Sequence, residues 1–345
     1  MNINELQALV ARETALPLTQ TSPFVLHSRC HRVRSMQAET WVKRDDELSL
    51  GASGYKYRKL ASLAPYLFSR EFKHVALVGS GLSNFVVSAS QLFLELGIQP
   101  TLFVREQHGN VEHPQANLRD LLIPPKHVVV VARDRWTNIE QLAAEEMRRR
   151  YKAESFCFLP EGGFHPAGVM GCVSLATDII ANEAELGFRF DKIVVDAGTA
   201  FTALALIFGF SLLKEHRDLT IVPMADKWTQ AEFTEKANAF FQWAAGFLNV
   251  EPPTLTVRLR VEAPSATGSF GAFSTAVAQQ IVHSAREDGL LIDPIYNAKL
   301  FLTLTKLQEQ HTAGRWLVVH SGGALSLFGF WNKLKKSMGA SVPEA

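Results

Sequence analysis

DKIVVDAGTAFTALALIFGF, Asp191 to Phe210, passes from a short apolar run through a small polar loop into a helix-period segment. The same order recurs elsewhere. HVALVGSGLSNF, His74 to Phe85, reads as a strand and tight turn leading into a helix through Leu96. PTLFVREQ and HVVVVARD, around Leu102 and Val129, read as two more buried strands, and TNIEQLAAEEMRRRY, Thr137 to Tyr151, as an amphipathic helix. RWLVVHSGGALSLFGF, Arg315 to Phe330, repeats the strand, loop, helix pattern. Apolar runs that end in Gly or Ser and lead into helices are the pattern of parallel strands joined by crossover helices. The expected fold class is α/β with mostly parallel sheets.

Composition narrows the function. The chain has 345 residues, 47% of them hydrophobic and 20% charged, enough for about two ordinary domains with a real core. A net charge of +1 offers no electrostatic footprint for nucleic acid or an anionic membrane, so small molecules or further subunits are the expected partners. Cys30, Cys157 and Cys172 are far apart and odd in number, which fits neither a disulfide framework nor a zinc cluster, and no metal site is expected. A reducing cytoplasm is the expected compartment. The N-terminus lacks a basic segment followed by an apolar core, so no signal peptide is read. Apolar stretches such as Thr202 to Leu213 fall short of the roughly 20 residues of a membrane span, and a soluble protein is expected.

Ligands of open parallel sheets sit at the carboxyl ends of the strands. Three loops at such ends, SGLSN, AGT and HSGGA, are small and polar and offer backbone N–H groups to an anion. Gly and Ser also serve strand-to-helix turns for steric reasons alone. A fourth loop, GASGYKYRKL from Gly51 to Leu60, gathers Lys56, Arg58 and Lys59. It lacks the spacing and trailing Ser or Thr of a P-loop, and no GxGxxG follows a strand. Scattered loops with a lysine point to a phosphate-bearing cofactor of another class.

Six segments in order resemble the fold type II pyridoxal-phosphate enzymes, in particular the group of aminocyclopropane-carboxylate deaminase and D-cysteine desulfhydrase. VKRDDELSLGASGYKYRKL resembles a KRDD segment followed by GNK, one residue and RKL. LVGSGLSNF resembles a GGxQSNH loop. PEGGFHPAGVMGCVSLATDI is similar to a glycine-rich segment ahead of a helix, and DKIVVDAGTAFT to a phosphate loop of the GSGGT kind. LLIDPIYNAKLFLTL resembles an LDPVYxGK segment, and WLVVHSGGALSLF the closing strand with its HTGG-type turn. The matches run from about Leu16 to Phe328.

The resemblance implies two three-layer α/β/α domains of the tryptophan synthase β kind. Residues 1–56 with 170–345 are expected to form the large cofactor-binding domain, and residues 57–169 the small one. It also implies pyridoxal 5'-phosphate as cofactor, a small amino acid as substrate and a homodimer. Lys56 falls on the lysine that joins the cofactor aldehyde, a task suited to an amine whose pKa is depressed by desolvation or nearby cations. Arg58 and Lys59 are close enough in sequence to contribute. An exposed basic helix start is disfavoured there, because cations are unwelcome at the positive end of a helix dipole.

Asn84 matches the residue bonded to the ring hydroxyl of the cofactor. Ser83 matches a serine beside the reacting carbon, and is equally suited to cap a helix. Gly198, Thr199, Ala200, Phe201 and Thr202 match the phosphate loop, and Ser321 the partner of the pyridine nitrogen. Tyr296 matches an active-site tyrosine able to act as acid or base, with packing as the alternative. His165, His320 and the run RRRY receive no chemistry.

Four matched positions have become aromatic: Tyr55 for Asn, Phe85 for His, Phe201 for Gly and Phe270 for a second tyrosine. A phenylalanine at 201 would be strained if the backbone there needs positive φ. Asn297 stands where the deaminases carry a glutamate. A carboxylate keeps the ring nitrogen protonated, whereas Ser321 with Asn297 would not. Cyclopropane ring opening is therefore not expected.

The expected function is Cα-proton abstraction and elimination from a small amino acid, as in a D-cysteine desulfhydrase-like lyase or deaminase. Two alternatives stand beside it. One is a pyridoxal-phosphate enzyme for a more apolar amino acid in a specialised biosynthetic pathway, by β-replacement or another reaction. The other is a catalytically silent ligand-binding homologue.

Overall fold

In the computed structural model, residues 1–16, 24–106, 114–266 and 271–338 are described. Phe270 lies outside them. The strands are β1 (Cys30–Val33), β2 (Thr40–Lys43), β3 (His74–Ser80), β4 (Gln99–Arg105) and β5 (Val128–Val131). They continue with β6 (Phe156–Leu159), β7 (Lys192–Ala197), β8 (Asp218–Pro223), β9 (Arg258–Val261) and β10 (Trp316–Val319). Six of them form one sheet in the order β1-β2-β10-β7-β8-β9, and four a second in the order β5-β4-β3-β6. Every described strand pairing is parallel except that of β1 with β2.

Helices cover both sheets on both faces, as parallel strands require. The helices are α1 (Ile3–Thr14), α2 (Tyr55–Ser69), α3 (Asn84–Glu95), α4 (Pro114–Leu122), α5 (Ile139–Arg150) and α6 (Val169–Leu186). After them come α7 (Phe201–Leu212), α8 (Gln230–Leu248), α9 (Thr275–Asp288), α10 (Asn297–Gln310) and α11 (Trp331–Ser337). Alternation along β7 divides the layers of the larger sheet. Ile193, Val195 and Ala197 pack with α6, α7 and α8, while Val194 packs with α9 and α10. Along β3, Val75 and Leu77 face α2 and α3, whereas Ala76 and Val78 face α5. Both sheets are thus the centre of an α/β/α sandwich. The large sheet draws its strands from segments before residue 44 and after residue 191, the small sheet from residues between 74 and 159.

One expectation fails at the last strand. After β10 the chain does not enter an α-helix: Gly322 and Gly323 turn at φ of 87° and 91°, and Ala324–Phe330 is a 3-10 segment that precedes α11. Among the described residues no helix is long and apolar enough to cross a membrane.

Candidate active site

The loop before α2 needs glycine at its last position. Gly54 sits at φ 68°, ψ −141°, a region open essentially to glycine. A β-carbon there would lie 1.9 Å from the Ser321 carbonyl oxygen, so this loop is pressed against the one leaving β10. Lys56, half-buried in the first turn of α2, enters a narrow cleft shared with Ser53, Asn84, Gln115 and Gly323. Burial lowers its pKa, and Asp293 and Asp196 oppose that shift without cancelling it. Its Nζ lies 5.8 Å from the centre of the Tyr296 ring.

Asn84 opens α3 on the other side of the cleft. Its Oδ1 accepts a bond from Gln115 Nε2 at 3.0 Å, which aims the amide. Ser83 is the cap of that helix, its Oγ accepting from the Val86 N–H at 3.3 Å. Phe85, which follows, is buried against Gly163, where a β-carbon would meet its ring at 2.3 Å.

The loop Gly198–Thr202 reaches the same region from β7. A β-carbon at Gly198 would stand 3.2 Å from the Tyr296 ring. The positive φ of this loop falls on Ala200, at 65°, not on Phe201, which begins α7 in helical geometry. The strain expected at a phenylalanine is therefore carried by a smaller side chain. Phe201 points its ring inward, to Phe164 and Phe240 at centroid distances of 5.0 and 5.7 Å. Thr202 is buried, with its Oγ1 3.6 Å from Cys172 Sγ. No side chain caps α7, which leaves its first N–H groups for an anion.

Lys59 stands beside this helix start. Its Nζ lies 4.5 Å from the Phe201 ring centre and 5.4 Å from that of Phe85, and it donates to the Gly162 carbonyl. Burial, opposed by Cys172 and reinforced by Lys56, lowers its pKa to about 8. Two of the four aromatic replacements thus enclose one cation.

Arg58 does something else. Its guanidinium is buried and bonded to Asp45 and Asp178, so its charge is neutralised where it stands. The expected contribution of Arg58 to the depressed pKa of Lys56 is not found; desolvation is the cause. The cluster is buried rather than an exposed helix start: in the first turn of α2, Tyr55 packs in the core of the large sheet and Tyr57 in that of the small sheet.

Ser321 lies behind the cleft, 2% exposed. Asn297 braces it: Asn297 Oδ1 accepts from the Ser321 N–H at 3.1 Å, and Asn297 Nδ2 donates to the Gly322 carbonyl at 2.9 Å and to Asp293 Oδ1 at 2.7 Å. Asp293 also accepts backbone N–H bonds from Ile295, Tyr296 and Asn297. Burial, together with Asp293 and Asp196, pushes the pKa of Tyr296 well above its ordinary value. His165 and His320 are held by backbone groups, His165 accepting from the Ala167 N–H and His320 lying between the Leu291 carbonyl and the Gly322 N–H. Arg149 and Arg150 pair with Glu146 on the surface of α5.

One residue that the sequence did not single out and one that it did are buried with an unpartnered oxygen. Asp196 is buried at the end of β7 with no hydrogen bond to its Oδ1, and Tyr55 is buried with no partner for its hydroxyl. An aspartate in an otherwise apolar strand was the signal for the first.

A lysine of lowered pKa in a cleft at the carboxyl ends of strands, an amide opposite it and an uncapped helix start beside a buried cation fit an aldehyde cofactor that carries a phosphate. Among the described residues no group of three or more His, Cys, Asp or Glu is placed to hold a metal. The fold is that of the fold type II pyridoxal-phosphate enzymes. Residues 22–322 match the family model described as pyridoxal-phosphate dependent enzyme, and the chain belongs to that family; its cofactor is pyridoxal 5'-phosphate.

Within the family it is related to proteins named aminocyclopropane-carboxylate deaminase and D-cysteine desulfhydrase. A Pyrococcus horikoshii protein provisionally named 1-aminocyclopropane-1-carboxylate deaminase is 30% identical over 305 residues, 87% of this chain and 89% of its own length. The D-cysteine desulfhydrase of Yersinia enterocolitica is 29% identical over 300 residues, covering 85% and 88%. The crystal structure of an ACC deaminase homologue superposes with a TM-score of 0.77 at 25% identity, over 96% of this chain and 98% of that one.

Proposed function

We propose that this chain is a pyridoxal-phosphate lyase or deaminase that removes the Cα proton of a small amino acid and eliminates a β-substituent, in the manner of a D-cysteine desulfhydrase. The observation that carries this is Lys56, desolvated at the head of a cleft that Asn84 also lines. When bound, the cofactor supplies the sink for the electron pair left at Cα. Lys56 holds it and moves the Cα proton through its Nζ. Asn84 offers its amide to the ring hydroxyl. Gly198, Thr199, Ala200, Phe201 and Thr202, with Lys59 beside them, hold the phosphate, and Ser321 meets the ring nitrogen. Ser83 binds or relays at the substrate, and Tyr296, beside Lys56, is the second acid or base.

Phe85 and Phe201 lie against Lys59 and do not line the cleft of Lys56. The proposal extends to a homodimer in the cytoplasm, with residues 1–56 and 170–345 as the large unit and 57–169 as the small one. The test is the visible spectrum of the reconstituted protein and borohydride reduction, which is expected to fix the cofactor on Lys56; fixation on another lysine overturns the assignment. Sulfide release from D-cysteine is the expected activity. Its absence, with spectral changes on larger amino acids, would favour the apolar-substrate reading.

A further inference from the structure

Gln115 has no part in the function just described, yet it lines the same narrow cleft as Lys56 and Asn84. It is the second residue of α4 and is 2% exposed. A buried amide is costly to hold unless its polar atoms are bonded. Gln115 Nε2 donates to Asn84 Oδ1 at 3.0 Å. One turn further along α4, Arg119 Nη1 donates to the Gly81 carbonyl at 3.3 Å, in the loop between β3 and α3. The start of α3 is thus tied to α4 at two points, and one of them is the side chain of Asn84.

A side-chain amide has an oxygen that accepts and a nitrogen that donates. Gln115 engages the oxygen of Asn84, so the nitrogen is turned away from α4. A β-carbon at Gly323 would stand 3.5 Å from Asn84 Nδ2, which places that nitrogen toward the turn leaving β10. Gly323 lines the cleft too, so what Asn84 presents there is a donor. A donor favours an oxygen that has lost its proton, whereas an acceptor favours one that keeps it.

We infer that Gln115 is a positioning residue: by occupying Asn84 Oδ1 it turns Asn84 Nδ2 to the cofactor and keeps the ring oxygen of the cofactor ionised. The inference rests on the reading above that Asn84 meets that oxygen. The two possible arrangements differ in the place of one proton. With Nδ2 facing it, the ring oxygen is bare and its proton sits on the nitrogen that links the cofactor to Lys56. With the amide reversed, Oδ1 faces the cleft, and the ring hydroxyl keeps its proton to donate it there. Gln115, which touches Asn84 and not the reacting carbon in this reading, selects the first.

The test reconstitutes the full chain, Gln115→Glu and Gln115→Leu with pyridoxal 5'-phosphate, and reads the absorption spectrum at pH 9 and the cofactor Kd, both without substrate. An ionised glutamate only accepts, so it takes Asn84 Nδ2 and reverses the amide. The wild type is expected to show mainly the visible band of the ionised ring oxygen. In Gln115→Glu the ratio of the shorter-wavelength band of the un-ionised ring to the visible band is expected to rise roughly 10-fold or more, as the loss of a charge-assisted bond implies. Gln115→Leu is expected to keep the wild-type ratio and to bind the cofactor about 2- to 10-fold more weakly, the loss of one neutral bond. A wild type dominated by the shorter-wavelength band, or a wild-type ratio in Gln115→Glu, overturns the inference. If Gln115→Glu does not fold, wild-type affinity in Gln115→Leu overturns it, and if neither folds the wild-type spectrum decides. A wild type that forms neither band, or whose cofactor borohydride does not fix on Lys56, brings down the proposed site and this inference with it. Fixation on Lys56 with an unchanged ratio in Gln115→Glu overturns the inference and leaves the site standing.

Discussion

Arg58 grips Asp45 as a fork, Nε to Oδ2 at 2.6 Å and Nη2 to Oδ1 at 2.7 Å, with neither side chain exposed. Nη2 also reaches Asp178 Oδ2 at 2.6 Å, and Nη1 reaches the Leu26 carbonyl and Ser174 Oγ, each at 2.9 Å. Lys43 Nζ meets the same Asp178 Oδ2 at 2.5 Å. Burial raises the Asp178 carboxyl, but Arg58 and Lys43 bring it below its ordinary pKa. The grip fixes the rotation of α2 two residues beyond Lys56.

Arg58→Ala leaves the buried Asp45 carboxylate without its fork and Asp178 with Lys43 alone. Such a loss costs about 3–5 kcal/mol, and Arg58→Lys recovers little because an ammonium cannot form the fork. Urea unfolding of the purified protein checks this. A wild-type midpoint for Arg58→Ala would mean that the network contributes nothing.

Lys59 makes stability depend on alkaline pH. Its folded pKa is about 8, against about 10.4 for an unfolded lysine. Between these values the unfolded chain holds a proton that the folded chain has released, so this contribution raises stability as pH rises. Lys59→Met lacks it. The difference between the two cofactor-free unfolding free energies is expected to move in favour of the wild type from pH 8 to 10, and a constant difference contradicts the shift. With cofactor, losing a charge-assisted bond of about 1.5–3 kcal/mol weakens binding roughly 10- to 100-fold.

Ala200 holds φ at 65°, which costs an L-residue about 1–2 kcal/mol. Part of this is offset by the greater freedom glycine has when unfolded. Ala200→Gly is expected to stabilise the chain by about 0.5–1 kcal/mol and to leave the N–H groups of α7 where they are. Thermal unfolding of the cofactor-free protein measures it; a lower midpoint refutes the strain.

Asp196 imposes the opposite slope in acid. An unfolded aspartate titrates near pH 4, whereas Asp196 holds its proton to about 7. Across that window the folded chain binds the extra proton, and stability falls as pH rises. Asp196→Asn should flatten the wild-type fall between pH 4 and 7 in cofactor-free protein, as read by the difference in unfolding free energy. Parallel curves would show that the carboxyl is not held protonated.

Periodicity was enough for the sheets. Residues that alternate along β3 and β7, and the loops closed by Gly or Ser, are local properties of the chain, and they carried the α/β class and the order of strand and helix through Phe210. Lys56 stood out by the basic cluster around it and its resemblance to the family's GNK segment, and Asn84 by its resemblance to the GGxQSNH loop. What periodicity could not supply was the partner of each charge. Lys56, Arg58 and Lys59 are equal in the sequence, but Arg58 pairs with a residue 120 positions away, and Lys59 lies between Phe85 and Phe201. The left-handed turn at Ala200, the 3-10 segment after Gly323 and the exposure of Asp196 Oδ1 to no partner were likewise decided only in three dimensions. Desolvation and hydrogen bonding depend on which distant segments close over a side chain, and the tertiary fold alone determines that.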